Sequence, residues 1–514
     1  MGFFIGGPLG PKFELFSKII EYVCFMKKLL LLLFCLPIIS FGQNQNISLG
    51  NVFDGEPCIA INPNNSQHMV VAWMGYKFGE NVVIKTKVTF DAGQNWSITK
   101  SIPHINSVYT SADPTLEFDN NSNVFLAYID FSKAIDSGAV YVTKSLDGGL
   151  NWQNPVEVIN TFSDIGKYPI DRPWMSIDKS SGINSGDIYI TTMTPSDFGP
   201  IHSGLIQPPY NPYFMYSMDG GQSFSNWRYL DTINFLAGSI IKQPMPTNCV
   251  SANGTFHAIY PSWVLSQNLS PQYILASTSN LGNSFDHNNV LTTSGNPDTL
   301  IKKASKLIAN PADANHLVYI TPDLMFGDVD IVMTESYDEG VSWSIPIRVN
   351  DDLQGNGKIQ DLVWADFDSD GDLVVTWRDR RNSLANGYQT ESEIWAAFRS
   401  KDSTTFSPNF SITSQQVAYD SVLALNGNDF MCVVLAEDTL NAVWGDTRNG
   451  KLNIWFQRMS IQSGVLNTII NLSENNNKRL VKIVDELGRE AKQTNQPLFY
   501  IYDDGTVEKR IIVE

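Results

Sequence analysis

Apolar positions along this chain come in short runs broken by polar turns, which is the spacing of strands. Seven such runs resemble one another: HMVVAWM, NVFLAYID, DIYITTM, FHAIYPSW, HLVYITPD, DLVVTWRD and LNAVWGD. Each follows a first strand and a polar turn. The first strands begin at Glu56-Pro57, Asp113-Pro114, Arg172-Pro173, near Pro246, near Ser305, at Asp361 and at Asp429. Starts recur roughly every 60 residues, a period that marks a repeat architecture.

A second recurring element closes most repeats. TFDAGQNW (Thr89 to Trp96), SLDGGLNW (Ser145 to Trp152), SMDGGQSF (Ser217 to Phe224) and SYDEGVSW (Ser336 to Trp343) share Ser/Thr-x-Asp-x-Gly-x-x-Trp/Phe. A weaker copy, TSNLGNSF, has Asn280 at the Asp position, and a degenerate one surrounds Asp402 and Phe406. The chemistry is that of a tight hairpin. The carboxylate accepts bonds from turn N–H groups, Gly allows positive φ, and the final aromatic packs beneath the sheet. Asp91, Asp147, Asp219 and Asp338 are therefore structural fasteners and not catalysts.

These repeats predict an all-β propeller, with seven four-stranded blades and six as the alternative. The seventh repeat offers strands at Phe430 to Leu435, Leu440 to Trp444 and Leu452 to Met459, then no box. The N-terminal run Ile47 to Phe53 is expected to supply its missing outer strand and remove the open edges of the array. Boxes and repeats together resemble the BNR/Asp-box sialidase superfamily over nearly all of residues 46–460.

Both ends read as addresses. Met26-Lys-Lys, the apolar stretch Leu29 to Ile39 and the small residues of Ser40-Phe-Gly42 make a signal peptide with cleavage before Gln43. Residues 1–25 are read as upstream sequence from an early start codon. After an Asn-rich linker (Asn475 to Asn477), three short strands are expected at Leu480 to Val484, Leu498 to Tyr502 and Arg510 to Val513, with a turn at Asp504-Gly505. Val484-Asp485, Leu487-Gly488-Arg489-Glu490 and Gly505-Thr-Val-Glu-Lys-Arg-Ile resemble the C-terminal sorting domain of the type IX secretion system. That resemblance implies the type IX machinery as a partner and delivery to the outer surface or medium of a Gram-negative, Bacteroidota-type bacterium. The expected organisation is then 1–42 extension and signal peptide, 43–472 propeller, 473–514 sorting domain.

Composition narrows the partners. A net charge of −18 argues against nucleic acid or anionic membrane as a partner. The mature chain has no apolar stretch long enough for a transmembrane helix, and a monomer is expected. Of five cysteines, Cys24 and Cys35 fall in the removed segment. Cys58, Cys249 and Cys432 sit in apolar runs as small buried hydrophobes, with a Cys58–Cys432 bridge left open because their strands belong to neighbouring blades. The six histidines show no metal-ligand spacing, and no nucleophile-elbow, phosphate-loop or dinucleotide fingerprint stands out.

In a four-stranded blade the loops before the first strand and after the second share one face, and the box turns occupy the other. The first-strand starts bring Glu56, Asp113, Asp171, Arg172, Asp361 and Asp429 to the functional rim. The second-strand ends bring Asp130, Trp263, Asp323, Arg378, Asp379, Arg380, Asp446 and Arg448. Within this set the ligand-binding candidates are Asp171, Arg172, Asp361, Asp379, Arg380, Asp446 and Arg448, since guanidinium forks match a sugar carboxylate and paired carboxylates do acid/base work. Trp377-Arg378-Asp379-Arg380 and Trp444-Gly445-Asp446-Thr447-Arg448 carry Trp, Asp and Arg in the same order. They supply cations for an anionic sugar, or each Asp–Arg pair braces its own loop. Sialidases carry an Arg-Ile-Pro motif that is absent here, so no catalytic residue is carried over. Asp366, Asp368 and Asp370 have the alternate spacing of a calcium loop, a structural ion and the single cofactor expected.

Three functions remain open: a surface propeller that binds an extracellular glycan or protein ligand, a glycoside hydrolase or lyase acting on acidic glycans, and a structural or adhesion scaffold.

Overall fold

The computed structural model describes residues 44–165, 169–194, 211–233, 241, 245–264, 266–293, 304–419, 428–462, 465–467, 480–484, 497–502 and 507–511. The expected signal peptide and upstream extension lie outside them, as does the Asp504-Gly505 turn. The chain divides into two compact units, 1–469 and 470–514.

The larger unit is a seven-bladed propeller. Blade 1 pairs Asp54–Asn62, Asn65–Tyr76, Val82–Thr89 and Lys100–Ser101 in chain order, inside to outside. Blade 2 uses Tyr109–Phe118, Val124–Ser132, Gly138–Ser145 and Val156–Asn160; blade 3 uses Asp171–Ile177, Ile188–Met193, Pro212–Ser217 and Arg228–Tyr229. Blade 4 uses Thr247–Val250, Phe256–Ser262, Gln272–Thr278 and Asp286–Thr292. Blade 5 uses Lys306–Ala309, Leu317–Asp323, Asp330–Ser336 and Ile347–Arg348; blade 6 uses Gln360–Phe367, Leu373–Asp379, Glu393–Arg399 and Phe410–Ser411. Every pairing within these blades is antiparallel.

Blade 7 is a composite. Its inner strands, Cys432–Ala436, Thr439–Asp446 and Asn453–Gln462, come from the end of the unit, and Gln45–Asn46 joins from its beginning. The pairs Gln45↔Phe456 and Asn46↔Trp455 are extended by one bond from Ile47 N to Ile454 O. Val465–Asn467 adds to the same edge further along, at Ser460 to Gln462. Ring closure thus centres on residues 45–46, ahead of the expected run Ile47 to Phe53, which contributes only a backbone bond at Ile47 and a single bridge at Phe53. The reason is local. The Asn46 side chain accepts the Leu49 N–H, Leu49 takes φ 51°, and the chain turns inward instead of running on along the edge. It then touches the third strand once more, through Asp54 N to Leu452 O, before starting blade 1.

Second strands are buried on both faces, which is why they read as continuous apolar runs. The cores lie between blades. One joins blades 2 and 3, others join 3 with 4, 4 with 5 and 5 with 6, and the largest gathers blades 6, 7, 1 and 2 around Trp73, Tyr128 and Trp444. Box aromatics pack against these shared cores: Trp96 and Trp152 in the largest, then Phe224, Phe285, Trp343 and Phe406.

The box turns have one geometry. The Asp91, Asp147 and Asp338 carboxylates each accept a backbone N–H four residues on at 2.8 Å, and Asp219 does so at 3.0 Å. The preceding Ser or Thr hydroxyl donates to each carboxylate at 2.8 Å. Asn280 reproduces both contacts with its amide oxygen, so the weak copy is a working box. Glycine is required at the second left-handed position. A Cβ on Gly340 would lie 2.2 Å from Leu275 Cδ2 of the neighbouring blade, and one on Gly93 2.5 Å from Phe456.

The smaller unit is a three-stranded antiparallel sheet of Leu480–Val484, Pro497–Tyr502 and Val507–Ile511. Its last strand begins at Val507 and not at Arg510, because Ile501↔Val507 already continues the hairpin register.

Candidate functional site

The inner strands of blades 1, 2, 3 and 6 share a bulge near their start, on the face opposite the boxes. At the bulge one residue is left-handed: Glu56 (φ 53°), Asp113 (φ 54°), Arg172 (φ 54°) or Leu362 (φ 56°). Three of the four precede proline. Non-glycine residues held in this region cost on the order of 1–3 kcal/mol each and cluster where function demands a particular aim. Here the bulge breaks strand alternation and turns charged side chains toward the propeller axis.

Five of these groups meet. The Glu56 carboxyl bears on Asp113 and the Asp113 carboxyl on Asp171, each raising its neighbour's proton affinity. Arg172 pairs with Asp429 of blade 7 and lies 3.8 Å from Asp171. Its guanidinium sits 5.5 Å from the Phe430 ring centre. Below lie Trp174, edge-on to Phe430 at 4.9 Å and beside Trp364 at 5.5 Å, and Lys306, whose ammonium is 4.3 Å from the Trp364 ring.

The electrostatics follow. Burial and the Asp113 charge push Asp171 up to about 7 against the pull of Arg172. Burial, then Glu56, raises Asp113 well above the carboxylate range. Burial opposes the Arg172 charge, but the surrounding carboxylates outweigh it and hold the guanidinium protonated. Four carboxyl groups against one arginine leave a site that is proton-loaded at neutral pH.

The other candidates do not join this cluster. Asp361 accepts from Arg378 at 2.8 and 2.6 Å and from Arg380 at 3.0 Å, and Arg378 also donates to the Tyr388 hydroxyl at 2.8 Å. Burial favours the neutral acid, yet the two guanidinium groups hold Asp361 down at about 2. Asp379 accepts from the Trp377 indole (2.6 Å) and from Arg381 (3.0 Å); Asp446 accepts from the Trp444 indole (2.9 Å) and from Arg448 (2.8 Å). Arg381, not Arg380, is therefore the counterpart of Arg448. Arg381 lies over Trp395 at 4.0 Å and Arg448 over Trp455 at 4.4 Å, each clamped against its own third strand. Both pairs brace loops. Asp130 likewise accepts from His104 at 2.7 Å, Ile105 N at 2.8 Å and Ser111 at 3.0 Å.

The calcium candidates separate. Asp366 accepts from Leu435 N at 2.9 Å and faces the central cavity, while Asp370 pairs with Lys401 at 2.6 Å. Asp368 is occupied by three backbone N–H groups of its own turn. These three do not form one donor set. Among the described residues the carboxylates that converge are Asp368, Asp372 and Asp438, with oxygens within 4.8 Å of one another. Burial and the hydrogen bond with Asp370 raise Asp368 to about 6.

Glu56, Asp113 and Asp429 were legible as rim residues but not as partners of Asp171. The repeated acidic or basic residue before proline was the available signal. Nothing in the sequence marked Tyr388 or Lys306.

No protein-family model matches this chain, and no curated protein matches it. Solved structures do. A Dyadobacter fermentans protein of unknown function is 14% identical, covering 70% of this chain and 97% of its own, with a TM-score of 0.48. The Penicillium chrysogenum α-L-arabinanase is 10% identical over 81% of this chain and 98% of its own (TM-score 0.44). A leech intramolecular trans-sialidase is 14% identical over 82% and 70% (TM-score 0.43). At these identities and overlaps the likeness is one of general shape, and the seven-bladed fold stands on the sheet order itself.

Proposed function

We propose that the protein is a secreted or cell-surface propeller that binds a glycan in the funnel formed by Glu56, Asp113, Asp171, Arg172 and Asp429. The observation that carries this is the convergence of side chains from four blades, three of them on left-handed residues, with an aromatic floor beneath. Hydroxyl-rich ligands suit such a place, since carboxylates accept hydroxyl hydrogen bonds and aromatic faces stack on sugar rings. The charge balance favours an uncharged sugar or an amino sugar over a carboxylated one: Arg172 already serves Asp429, and Arg380, Arg381 and Arg448 serve their own loops. The Asp-box resemblance supports a glycan ligand in general, and the charge balance of the funnel, not the resemblance, selects among sugars.

Glycoside hydrolysis is the second reading. It is favoured by two neighbouring buried carboxyl groups that keep a proton near neutral pH, Asp171 at about 7 and Asp113 also raised well above its usual range, as a general acid requires. The signal peptide before Gln43 and the type IX sorting segment 473–514 complete the proposal as its route to the surface.

An array of neutral, amino and acidic glycans tests the reading. Wild type is expected to retain neutral or amino sugars, and Asp171→Asn and Glu56→Gln to lose at least tenfold in affinity. Retention of only carboxylated glycans, or unaltered binding by both variants, would place the ligand elsewhere. Release of reducing sugar from a retained glycan, lost in Asp171→Asn, would decide for hydrolysis.

A further inference from the structure

We propose that Cys58 and Cys432 form a disulfide that closes the propeller covalently between its first and last blades. Cys58 stands in the inner strand of blade 1 and Cys432 in the inner strand of blade 7, and both line the central cavity of about 460 Å³. The Cys432 thiol reaches the carbonyl of Ile59, next to Cys58, at 3.5 Å. The Cys58 sulfur accepts the Leu116 N–H at 3.4 Å. Both thiols are free in this structure, and each perturbs the other's proton affinity across the seam. For the sulfurs to reach the bonded separation of about 2.05 Å, the Cys432 thiol turns away from the Ile59 carbonyl toward Cys58.

The seam they span joins the two ends of the propeller. The N-terminal segment holds blade 7 through two residue pairs, backbone bonds from Ile47 to Ile454 and from Asp54 to Leu452, and side-chain bonds from Asn44 and Asn46, and the proposed bond would add a covalent link on the inner side. A bond between Cys58 and Cys432 would enclose nearly the whole propeller in one covalent loop, and long loops restrict the unfolded chain most.

The pair is also ordered for the chemistry. The Cys58 sulfur accepts a backbone N–H, which favours its thiolate, whereas the Cys432 thiol donates to a carbonyl, which favours the protonated form, so Cys58 is the first nucleophile. The oxidant is an external disulfide, small or protein-borne. The Cys58 thiolate attacks one of its sulfurs and expels a thiolate. Cys432 then gives up its proton, attacks the Cys58 sulfur of the mixed disulfide and expels the second thiolate. Two electrons pass from the pair to the external disulfide, which leaves as two thiols. Cys249, in the inner strand of blade 4, lies across the ring and serves as the control.

The test is alkylation and peptide mapping of the full chain after folding with oxidised glutathione. The expected result is a peptide joining Cys58 to Cys432 that disappears on reduction, with Cys249 alkylated without reduction. Full alkylation of all three before reduction, or a link through Cys249, overturns the proposal. In melting experiments, reduction is expected to lower the Tm of wild type by several degrees and to leave Cys58→Ser and Cys432→Ser unchanged. An unaltered wild-type Tm on reduction would also overturn it. Should the serine variants fail to fold, the wild-type map still decides.

Discussion

Asp171 of blade 3 and Asp361 of blade 6 occupy the same place in the repeat, one residue before the bulge, yet they stand at opposite ends of the carboxylate range. Asp171 is pushed to about 7 and Asp361 is held at about 2. Asp361 is fully buried and Asp171 keeps 18% of its side chain exposed, so the more buried group is the more acidic one and burial is not what separates them. Their cross-strand partners are. Asp361 lies opposite Arg378, and Asp171 lies opposite Met193. Blade 6 answers its buried carboxylate from within; blade 3 leaves its own to face Asp113 and Arg172 across the funnel. The left-handed residue differs in the same sense: apolar Leu362 joins the large core shared by blades 6, 7, 1 and 2, whereas Arg172 pairs with Asp429 and lies over the Phe430 ring. One bulge therefore builds a closed brace in one blade and an open site in another.

The largest expected effect comes from opening the closed region. Arg378→Met leaves Asp361 without its bidentate partner, and breaking a buried pair costs about 3–5 kcal/mol. Denaturant unfolding measures this; a loss near the ordinary substitution value of about 1 kcal/mol would break the contrast between the two blades.

Next in size is the open region itself. The Asp171 folded pKa lies above its unfolded value of 3.8, so the unfolded state releases this proton first as pH rises. Stability falls between about pH 4 and pH 7, and the full penalty is present above that window, at most about 4 kcal/mol. Asp171→Asn is expected to raise the Tm at pH 8 and to leave it unchanged below pH 4, as read by a melting series across pH. Equal effects at both pH values would mean that the group is not proton-loaded.

The smallest effect falls on the far face. Asp147→Ala removes the carboxylate that holds its box turn, with a cost of about 1 kcal/mol and no change in ligand binding. A binding defect in this variant would contradict the separation of the faces.

Much of this was readable in the chain. The Asp boxes repeat because each is a local hairpin whose Asp, Gly and aromatic are needed within eight residues, as TFDAGQNW and SLDGGLNW show. Strand runs such as HMVVAWM report burial on two faces, again a local property. The site was legible only as a rim. Trp444, Asp446 and Arg448 announced a motif but not that Arg448 would lie over Trp455; the spacing Trp-x-Asp-x-Arg already pointed to Arg381 and not Arg380 as its counterpart, and the packing against Trp395 bears this out.

By itself, the sequence determined the repeat and favoured seven copies over six, and it set the order of strands within a blade and the face on which the boxes lie, because periodicity and turn chemistry act over a few residues. Tertiary structure alone decided that closure falls at Gln45–Asn46, that Glu56, Asp113, Asp171, Arg172 and Asp429 meet, and that Asp171 and Asp361 part company. Those outcomes depend on which blade a side chain faces and how far the chain turns before it gets there. Long-range partners and the dielectric around them set the charge of a carboxylate, and neither is written in its immediate neighbours.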